Sequence, residues 1–457
     1  MKLILLSGGS GNRLWPLSNS SRSKQFLKVL RNKDKQVESM VQRIWSQIKS
    51  SGLADDTFIS TSSTQVDILQ SQIGSNIPLI VEPVRRDTFP AIALAAVYLN
   101  SKMKVPLNEM ICVLPVDSFV EDSFFLRIKE METSLSQSGA DLALIGTPPS
   151  YPSEKYGYII PNENKEGETN NLFRTVKRFV EKPDEELAKQ LIQENALWNC
   201  GVFAFTLGYM TSILKEKGMP IQYEELVKQY DKLPMISFDY EVVENVNRAV
   251  VLSYNSSWKD LGTWNTLTEE MDLHLLGRGI ISNSINTHII NELDIPVIAL
   301  GLLDIVVACS PDGILISEKA MSSKLKDVMK NIKQRPMYEE RRWGSYKVLD
   351  YTVNENKEEV LTKKIKVLSG KNLSYQFHQQ RKEIWSITAG EGIFVLDGNF
   401  VHVGPGDNLM IPFASKHAIK AITDLEFIEV QLGSNLIEED IVRIFMTWEE
   451  IEQNLSN

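Results

Sequence analysis

Apolar residues recur with two different spacings along the first 150 residues. Compact apolar runs of strand length stand at residues 2–7, 57–61, 78–81, 110–115 and 142–146. Between them, residues 34–50 and 90–99 carry apolar side chains at the spacing of a helix that buries one face. Alternating strand and helix signals of this kind predict a parallel sheet with helices packed on it, so the fold class is α/β.

After the first 150 residues, the spacing of apolar residues changes. Residues 279–318 form short apolar runs at even spacing, which predicts a small β-helix-like module. An amphipathic helix at 319–333 and a linker at 334–340 are expected to follow. Residues 343–433 alternate short apolar strands with turns such as Gly-Pro-Gly-Asp at 404–407, which predicts an all-β domain, and 440–453 favours one helix.

These patterns predict three domains. An α/β domain is expected at residues 1–265, a small β-rich module with its helix at 266–335, and an all-β domain at 336–457.

Composition narrows the classes of partner. The chain has 457 residues and a formal net charge of −10, which argues against a broad nucleic-acid surface. The apolar stretch at 295–309 is too short to span a bilayer and contains Asp304, so no membrane association is expected. Cys112, Cys200 and Cys309 are far apart in the sequence and form no disulfide framework, which predicts a reducing cytoplasm.

A glycine-rich loop follows the first apolar run. It comprises Gly8, Gly9, Ser10, Gly11 and Asn12. Glycines allow backbone N–H groups to approach phosphate oxygens, although such a loop is equally often a tight strand-to-helix turn. Arg13 and Lys24 favour the phosphate hypothesis, because two cations there would neutralise the charge that develops when a triphosphate is cleaved between its α and β phosphates.

Residues 8–17 and 24–27 resemble the signature of sugar-1-phosphate nucleotidylyltransferases. That signature reads Gly-Gly-x-Gly-Thr-Arg-Leu-x-Pro-Leu followed by Pro-Lys, and this chain departs from it at Asn12 and Ser23. Trp15 and residues 24–27 resemble the mannose-1-phosphate guanylyltransferase branch. The resemblance implies a Rossmann-like nucleotidyltransferase fold with a GT-A-like mixed sheet, nucleotide binding by the loop, and catalytic roles for Arg13 and Lys24.

Further segments resemble the same branch in the family's order. Residues 82–93 resemble its Glu-Pro-x-x-Arg-Asn-Thr-Ala-Pro-Ala-Ile, which implies nucleotide binding by Glu82, Arg86 and Thr88. A carboxylate can accept hydrogen bonds from both N1–H and the 2-amino group of guanine, so Glu82 is the candidate guanine reader. The alternative is a helix N-cap at Asp87 or Thr88, which is compatible with the same fold.

The resemblance also implies a magnesium site and a sugar site. Asp117 follows an apolar strand, where open α/β sheets bind ligands, although an aspartate there is more often a turn or cap. Residues 258–264 resemble Trp-x-Asp-Val-Gly-x-Trp, which implies that Asp260 joins Asp117 in holding one Mg²⁺. Three other segments, at 156–159, 179–183 and 197–203, imply that the sugar phosphate is bound by Gly157, Tyr158, Glu181, Lys182 and Asn199.

Residues 373–385 of the all-β domain match Leu-Ser-x-Gln-x-His-His-His-Arg-x-Glu-His-Trp at Leu373, Ser374, Gln376, His378, Arg381, Glu383 and Trp385. In this segment the domain resembles the cupin barrel of type II phosphomannose isomerases. A cupin typically shows His-x-His-x3–4-Glu, with a further histidine downstream. The candidate ligands for Zn²⁺ or another divalent metal are His378, Gln380, Glu383 and His417, with Arg381 as a candidate isomerase residue. A metal there would polarise a sugar carbonyl while a base moves a proton, but glutamine is a weaker ligand than histidine and is no base. The alternative is a vestigial or purely structural barrel.

The implied reaction transfers GMP from GTP to α-D-mannose 1-phosphate, giving GDP-mannose and pyrophosphate with Mg²⁺ as cofactor. Three hypotheses stay open: the transferase alone, a bifunctional transferase and mannose-6-phosphate isomerase, and a non-catalytic sugar-nucleotide sensor. Departures at Asp87, Phe89, Lys155 and Cys200 also leave room for a different sugar 1-phosphate. The even β repeats at 279–318 offer a pairing surface for a homodimer.

Overall fold

The computed structural model describes residues 1–9, 11–163, 172–332, 334–438 and 440–455, without the side chains of Asn12 and Asn331. The chain divides into two compact units. The first comprises Met1–Leu14, Ser23–Val66 and Gln72–Asp272, and the second comprises Trp15–Arg22, Asp67–Ser71 and Leu273–Asn457. The three-domain division expected from the sequence stays a prediction.

The first 272 residues contain alternating strands and helices. The strands are β1 Lys2–Ser7, β2 Leu30–Arg31, β3 Val37–Glu38, β4 Thr57–Ser62, β5 Leu79–Glu82, β6 Met110–Pro115, β7 Ser118–Val120, β8 Leu142–Thr147, β9 Gly157–Pro161, β10 Arg174–Glu181, β11 Leu197–Thr206, β12 Ala249–Ser253 and β13 Trp258–Asp260. The helices are α1 Met40–Ser50, α2 Val66–Ile73, α3 Thr88–Val97, α4 Phe124–Ser138, α5 Glu185–Gln193, α6 Leu207–Glu216, α7 Tyr223–Lys228, α8 Phe238–Glu241 and α9 Trp264–Glu269.

A nine-stranded mixed sheet forms the centre of the first unit. Its order is β5-β4-β1-β6-β11-β8-β12-β10-β9. Strands β5, β4, β1 and β6 are parallel, whereas β11 runs antiparallel to both β6 and β8. Helices cover the sheet, so β1 reads as an unbroken apolar run with Leu3, Ile4 and Leu5 almost fully buried. The prediction of an α/β fold with a mixed sheet is confirmed.

Helix α1 begins later than the apolar spacing at 34–50 predicts. The Ser39 hydroxyl accepts a hydrogen bond from the backbone N–H of Gln42, and the Gln42 side chain accepts one from the N–H of Ser39. This reciprocal cap satisfies two N–H groups that a helix start leaves open. The preceding residues Val37–Glu38 therefore form β3 instead of a first helical turn.

A small module, in which all strands but β19 pair in parallel, opens the main part of the second unit. It contains β14 Leu275–Leu276, β15 Gly279–Ser282, β16 His288–Asn291, β17 Val297–Leu300, β18 Ile305–Ser310 and β19 Gly313–Glu318. Strands β14, β16 and β18 stack in parallel, as do β15 and β17, which is the arrangement expected of a β-helix-like module. The helix expected at 319–333 is instead three short helical turns, and only α10 Leu325–Val328 is α-helical.

The Trp15–Arg22 segment packs within the second unit. The Arg22 guanidinium donates two hydrogen bonds of 2.8 Å to the carboxylate of Glu292, and the Asn19 side-chain amide donates one of 2.7 Å to Asp312. A side chain at Gly313 would lie about 2.5 Å from the Trp15 ring, so this position requires glycine.

Two antiparallel sheets form a barrel in the rest of the second unit. The strands are β20 Tyr338–Arg341, β21 Gly344–Val353, β22 Glu359–Val367, β23 Tyr375–Phe377, β24 Arg381–Ala389, β25 Gly392–Leu396, β26 Asn399–Val403, β27 Asn408–Ile411, β28 His417–Ala421, β29 Leu425–Gly433 and β30 Val442–Phe445. The sheet orders are β20-β21-β22-β29-β24-β27 and β26-β25-β28-β23-β30. Inner faces pack large apolar side chains such as Trp385 and Phe427, and the cupin prediction is confirmed.

Two local expectations in this region are wrong. The linker at 334–340 includes β20, because Glu339 is buried and pairs with Arg341 while the strand joins β21. The single helix at 440–453 is instead β30 followed by α11 Trp448–Leu455, because Val442 and Arg443 pair with β23.

No helix within the described residues is long and apolar enough to cross a membrane.

Candidate functional site

A cavity of about 610 Å³ opens in the first unit, and many sequence-predicted site residues line it. Those residues are Gly8, Gly9, Arg13, Lys24, Glu82, Arg86, Thr88, Asp117, Gly157, Glu181, Asn199 and Asp260. Gly8, Asp117 and Glu82 stand at the carboxyl ends of β1, β6 and β5, the edge where parallel strands present ligand sites. Gly11 belongs to a short helical turn with Arg13, while Ser10 and the side chain of Asn12 lie outside the described residues.

The Lys24 ammonium lies between two carboxylates at the cavity wall. Its Nζ is 3.0 Å from Oδ2 of Asp117 and 2.8 Å from Oδ1 of Asp260. Burial opposes the charged form of Lys24, but the two carboxylates outweigh burial and raise the pKa of Lys24. Burial also opposes the ionised form of Asp260, yet the Lys24 ammonium lowers the pKa of Asp260 below its ordinary value. Lys24 and Asp260 are therefore both charged near neutral pH.

A two-stranded ladder brings the two aspartates together. Strand β13 pairs antiparallel with β7, and in this register Asp260 lies opposite Ser118, the neighbour of Asp117. Residues more than a hundred positions apart in the sequence thus place their carboxylates at one point.

Glu82 is held in the cavity wall by a residue that the sequence motifs did not indicate. The hydroxyl of Tyr230 donates a 2.8 Å hydrogen bond to Oε2 of Glu82. Burial raises the pKa of Glu82 above its ordinary value. Oxygen Oε1 of Glu82 lies beside Gly8, where a Cβ would approach it to 3.3 Å.

The start of α3 confirms the N-cap alternative at Asp87, whereas nucleotide binding by this segment stays a prediction. Asp87 adopts a positive φ of 73°, and its side chain accepts a hydrogen bond from the N–H of Thr88. The Thr88 hydroxyl accepts one from the N–H of Phe238. Arg85 and Arg86 precede this cap, and both line the cavity.

Gly157 and Glu181 face each other at another part of the cavity wall. The two residues are register partners in the β9–β10 pair. A Cβ on Gly157 would collide with Oε2 of Glu181 and would lie 2.5 Å from the Phe179 ring. That carboxylate oxygen is buried without a hydrogen-bond partner among the described residues, so it is free to accept from a bound hydroxyl.

The predicted sugar contact by Tyr158 is wrong. Its side chain is fully buried, and its hydroxyl exchanges hydrogen bonds with the backbone of Ser153. Successive residues of a strand point to opposite faces, so Tyr158 points away from the face on which Gly157 lines the cavity. Tyr156, just before the strand, lines the cavity instead.

Lys182 and Asn199 each have a partner inside the protein. The Lys182 ammonium pairs with Oε1 of Glu181, and Lys182 does not line the cavity. The Asn199 amide donates a 2.7 Å hydrogen bond to Oδ1 of Asp239, a cavity residue that was not predicted as a site residue, although residues 238–244 resemble the family's Ile-Asp-Tyr-x-Val-Met-Glu. Burial raises the pKa of Asp239 to about 7, and the nearby Glu181 carboxylate adds to the shift.

The barrel brings three predicted ligands together. Ligand atoms of His378, Glu383 and His417 all lie within 4.8 Å of one another. Nε2 of His378 is 3.2 Å from Oε1 of Glu383, and Nε2 of His417 is 3.5 Å from Oε2. Arg381 donates a 2.8 Å hydrogen bond to the same carboxylate.

The prediction that Gln380 is the fourth ligand is wrong. It lies exposed in the turn between β23 and β24, outside the buried group. The buried glutamine is Gln376, whose Nε2 lies 3.4 Å from Nε2 of His378 and whose strand register places it opposite His417. Strand β23 ends at Phe377, and the backbone N–H groups of Gln379 and Gln380 donate hydrogen bonds to the Asp440 carboxylate, so Gln376 lies on the strand whereas Gln380 lies in the turn. The arrangement Gln376-x-His378-x4-Glu383 keeps the cupin spacing, with glutamine at the first histidine position.

The two barrel histidines present lone pairs to a carboxylate. Nδ1 of His378 bonds the carbonyl of Asp440 and Nδ1 of His417 bonds the carbonyl of Ser415, so Nδ1 carries the proton in each. Burial lowers the pKa of His378 to about 4 and also lowers that of His417. Burial opposes ionisation of Glu383, but His417, His378 and Arg381 lower its pKa to about 2. Two neutral lone pairs aimed at an ionised carboxylate suit a shared cation.

The chain matches two known protein families. The family model described as "Nucleotidyl transferase" matches residues 2–275 of this chain. A second family model, described as "Mannose-6-phosphate isomerase C-terminal", matches residues 329–445. The first of these matches covers more than half of the chain, so the chain belongs to the nucleotidyl transferases. The chain is 30% identical to a mannose-1-phosphate guanylyltransferase of Salmonella montevideo, with 96% of this chain and 98% of that protein aligned. The chain belongs to the mannose-1-phosphate guanylyltransferase family.

The chain is also similar to other proteins whose names fit this family assignment or describe related biosynthesis. Mannose-1-phosphate guanylyltransferase of Escherichia coli K12 is 29% identical, covering 96% of this chain and 97% of that protein. Alginate biosynthesis protein AlgA of Pseudomonas aeruginosa is also 29% identical, covering 96% and 95%. A solved structure from Thermus thermophilus, described as a mannose-1-phosphate geranyltransferase, superposes with a TM-score of 0.60 at 27% identity and covers 72% of this chain and 98% of that chain.

Proposed function

We propose that this chain transfers GMP from GTP to α-D-mannose 1-phosphate, giving GDP-mannose and pyrophosphate. The observation that carries this proposal is one cavity that collects a glycine loop, five cations and several carboxylates from distant segments of the chain. The positive charge comes from Arg13, Lys24, Arg85, Arg86 and Lys155, while Glu82 and Glu181 stand at separate places in the wall.

The chemistry requires positioning and charge neutralisation. An oxygen of the sugar phosphate attacks the α-phosphorus of the nucleotide in line, and the bond from that phosphorus to the bridging oxygen of pyrophosphate breaks. The attacking phosphate is already ionised, so no general base has to remove a proton. Arg13 and Lys24 offset the negative charge that moves onto the leaving pyrophosphate, and Gly8 and Gly9 allow close backbone approach.

Asp117 and Asp260 fit a magnesium ion. Mg²⁺ prefers one or two carboxylates together with waters and phosphate oxygens, and these two carboxylates already converge on one positive nitrogen. When bound, Mg²⁺ would neutralise phosphate charge and align the two phosphates. Glu82 would accept hydrogen bonds from guanine, and Glu181, through its unpartnered oxygen, would accept from a sugar hydroxyl.

The test is pyrophosphate release over a grid of four nucleoside triphosphates and several sugar 1-phosphates, with and without Mg²⁺. Release with GTP and mannose 1-phosphate alone is the expected result. Release with another pair would overturn the substrate assignment, and no release with any pair would favour the sensor hypothesis.

The Arg13→Ala variant is expected to lower kcat at least about tenfold, since a charge-assisted contact in the transition state is lost.

We also propose that the barrel binds a divalent metal through Gln376, His378, Glu383 and His417 and acts on an anionic sugar phosphate. Glutamine would ligate through its oxygen, which a turn of the terminal amide brings toward the histidines. A second cavity reaches Glu383, and it is lined by the cations Arg341, Arg342, Lys363, Arg381 and Arg443. This lining favours a phosphorylated ligand and makes isomerisation of mannose 6-phosphate and fructose 6-phosphate the activity to test.

The isomerase test compares interconversion of the two sugar phosphates before and after chelation. Activity that disappears with the metal and returns on adding Zn²⁺ would support the second activity. Asp260→Asn is the control, because it removes a carboxylate from the transfer cavity and leaves the barrel intact. Absence of isomerisation in the metal-loaded protein would contradict the second activity and leave the transferase alone.

We further propose the cytoplasm as the compartment and a homodimer as the assembly. The three cysteines are free and buried, as expected of a reducing compartment. Ile280, Ile298 and Leu300 are each more than half exposed on the β15–β17 pair, which would suit a second copy of the chain. Light scattering after size exclusion tests the dimer, and a monomeric mass at micromolar concentration would contradict it.

A further inference from the structure

The contact of Lys24 with both aspartates points to a second task for this lysine. The ammonium nitrogen of Lys24 lies 3.0 Å from Asp117 and 2.8 Å from Asp260. Those two carboxylates are the proposed magnesium ligands. Only 12% of the Lys24 side chain is exposed, so its position is set by the protein and not by solvent.

An ammonium and a metal ion cannot share this position. Mg²⁺ requires oxygen ligands at about 2.0–2.1 Å, closer than any hydrogen bond to an ammonium, and accepts little distortion. A nitrogen that contacts both carboxylates occupies the space between them, and two cations only a few ångströms apart repel each other strongly in a partly buried site. Entry of the metal therefore requires Lys24 to leave at least one aspartate.

We propose that Lys24 holds Asp117 and Asp260 together in the free enzyme and is displaced into the phosphate-binding part of the cavity when the metal binds. This inference rests on the proposed function, since it assumes that the two aspartates ligate the metal. Lys24 is then a positioning residue before metal entry and a phosphate contact after it.

The exchange keeps the carboxylates paired at each stage. Two aspartates without a counter-ion would repel each other, and this repulsion is relieved by Lys24 in one state and by the metal in the other. A lysine suits this exchange because its ammonium is a compact charge on a flexible stem, unlike the planar guanidinium of arginine. The residue lies in the short turn Lys24–Phe26, so its side chain can move without a change in the sheet.

Site-resolved amine labelling of the wild-type protein tests the displacement directly. The protein is treated briefly with acetic anhydride, with and without Mg²⁺ and in the absence of nucleotide, and each lysine is quantified by peptide mass spectrometry. Lys24 is expected to label several-fold faster with Mg²⁺, because an amine that no longer lies against two carboxylates in the cavity wall is more accessible to the reagent. Lys259 is the internal control, since it pairs with Glu269 and Glu270. An unchanged Lys24 labelling rate would overturn the proposal.

Metal binding itself separates this inference from the function on which it rests. Mn²⁺ binding is measured by electron paramagnetic resonance in the wild-type protein and in Lys24→Met, Lys259→Met and Asp260→Asn, all of which keep the barrel group. Lys24→Met is expected to bind Mn²⁺ about tenfold more tightly than wild type, because the competing cation is gone. Lys259→Met, with the same change of net charge, should bind as wild type does.

Mn²⁺ binding by these variants separates the displacement of Lys24 from the assignment of the two aspartates as metal ligands. Weakened binding in Asp260→Asn together with unchanged or weaker binding in Lys24→Met would overturn the displacement and keep the metal assignment. Unchanged binding in Asp260→Asn would overturn the metal assignment and the displacement with it. Tighter metal binding combined with slow nucleotidyl transfer in Lys24→Met would support both roles of the lysine.

Discussion

The hydroxyl of Tyr230 donates a 2.8 Å hydrogen bond to Oε2 of Glu82, and the two side chains are 0% and 3% exposed. The carboxylate is thereby fixed in one orientation, with Oε1 beside Gly8 in the glycine loop. A fixed acceptor recognises a base better than a mobile one, because no side-chain freedom is lost when the ligand binds.

Removal of that hydroxyl should weaken guanine recognition. Tyr230→Phe leaves a buried carboxylate short of one donor, which costs about 1.5–3 kcal/mol for a charged group, so we expect kcat/KM for GTP to fall about tenfold. The ratio of kcat/KM for GTP to that for inosine triphosphate, which lacks the 2-amino group, should also fall. Tyr254→Phe is the control, since its hydroxyl bonds Ser123 elsewhere in the unit. An unchanged ratio would argue against base reading by Glu82.

Gly157 leaves no room for a side chain beside the proposed sugar-binding carboxylate. Gly157→Ala would push Glu181 and Phe179 apart, so we expect a rise of at least about tenfold in KM for the sugar 1-phosphate with a smaller change in KM for GTP. Steady-state kinetics with each substrate varied in turn measure the two constants. Gly404→Ala, at a position with open space, should change neither. Equal increases in both constants would indicate general misfolding instead of a local collision.

Asp239 should make stability depend on pH near neutrality. Its pKa is raised to about 7, so the folded state binds a proton that the unfolded state has already released above its ordinary pKa near 4. Stability from this group is therefore present at low pH and is lost as the pH rises toward 7. Asp239→Asn can still accept the hydrogen bond from Asn199 and carries no charge. We expect its melting temperature to exceed that of wild type more at pH 8 than at pH 5, as calorimetry can show; a pH-independent difference would contradict the shifted pKa.

Two glutamines near the barrel histidines should respond differently to the same substitution. Gln376→His places an imidazole within the buried group, and we expect binding of Zn²⁺ or Co²⁺ to tighten about tenfold or more, because imidazole is the better ligand. Gln380→His adds a histidine at an exposed turn and should leave that affinity unchanged. Competition with a chromophoric chelator measures both. Tighter metal binding in Gln380→His alone would support Gln380, and not Gln376, as the fourth ligand.

The sequence predicted the architecture well because strand and helix spacing, turn residues and family segments all pointed to the same elements. It failed where the direction of a side chain decided the outcome. Tyr158 and Gln380 were one or a few positions from the residues that face their sites, and strand alternation settles such cases only when the register is known. Alternation from His378 fits Gln376 and Gln380 equally, and only the end of β23 at Phe377 separates them.

Two other site residues were not predicted, for different reasons. Tyr230 lies in a short helical turn, where nothing in the local pattern distinguishes it from an ordinary core position. Asp239 lies within residues 238–244, which resemble the family's Ile-Asp-Tyr-x-Val-Met-Glu, so a signal was present but gave this carboxylate no role. Their roles depend on contacts with Glu82 and Asn199, which are 148 and 40 residues away. The approach of Lys24 to two aspartates likewise depends on the β7–β13 register, which composition and spacing cannot give.

The Arg22–Glu292 ion pair limits how this protein can be shortened. A chain ending at residue 275, where the nucleotidyl transferase match ends, would lack both Glu292 and Asp312. The guanidinium of Arg22 and the amide of Asn19 would lose their acceptors only a few residues from Lys24. A minimal engineered transferase from this sequence therefore needs replacements at positions 19 and 22 as well as a new terminus.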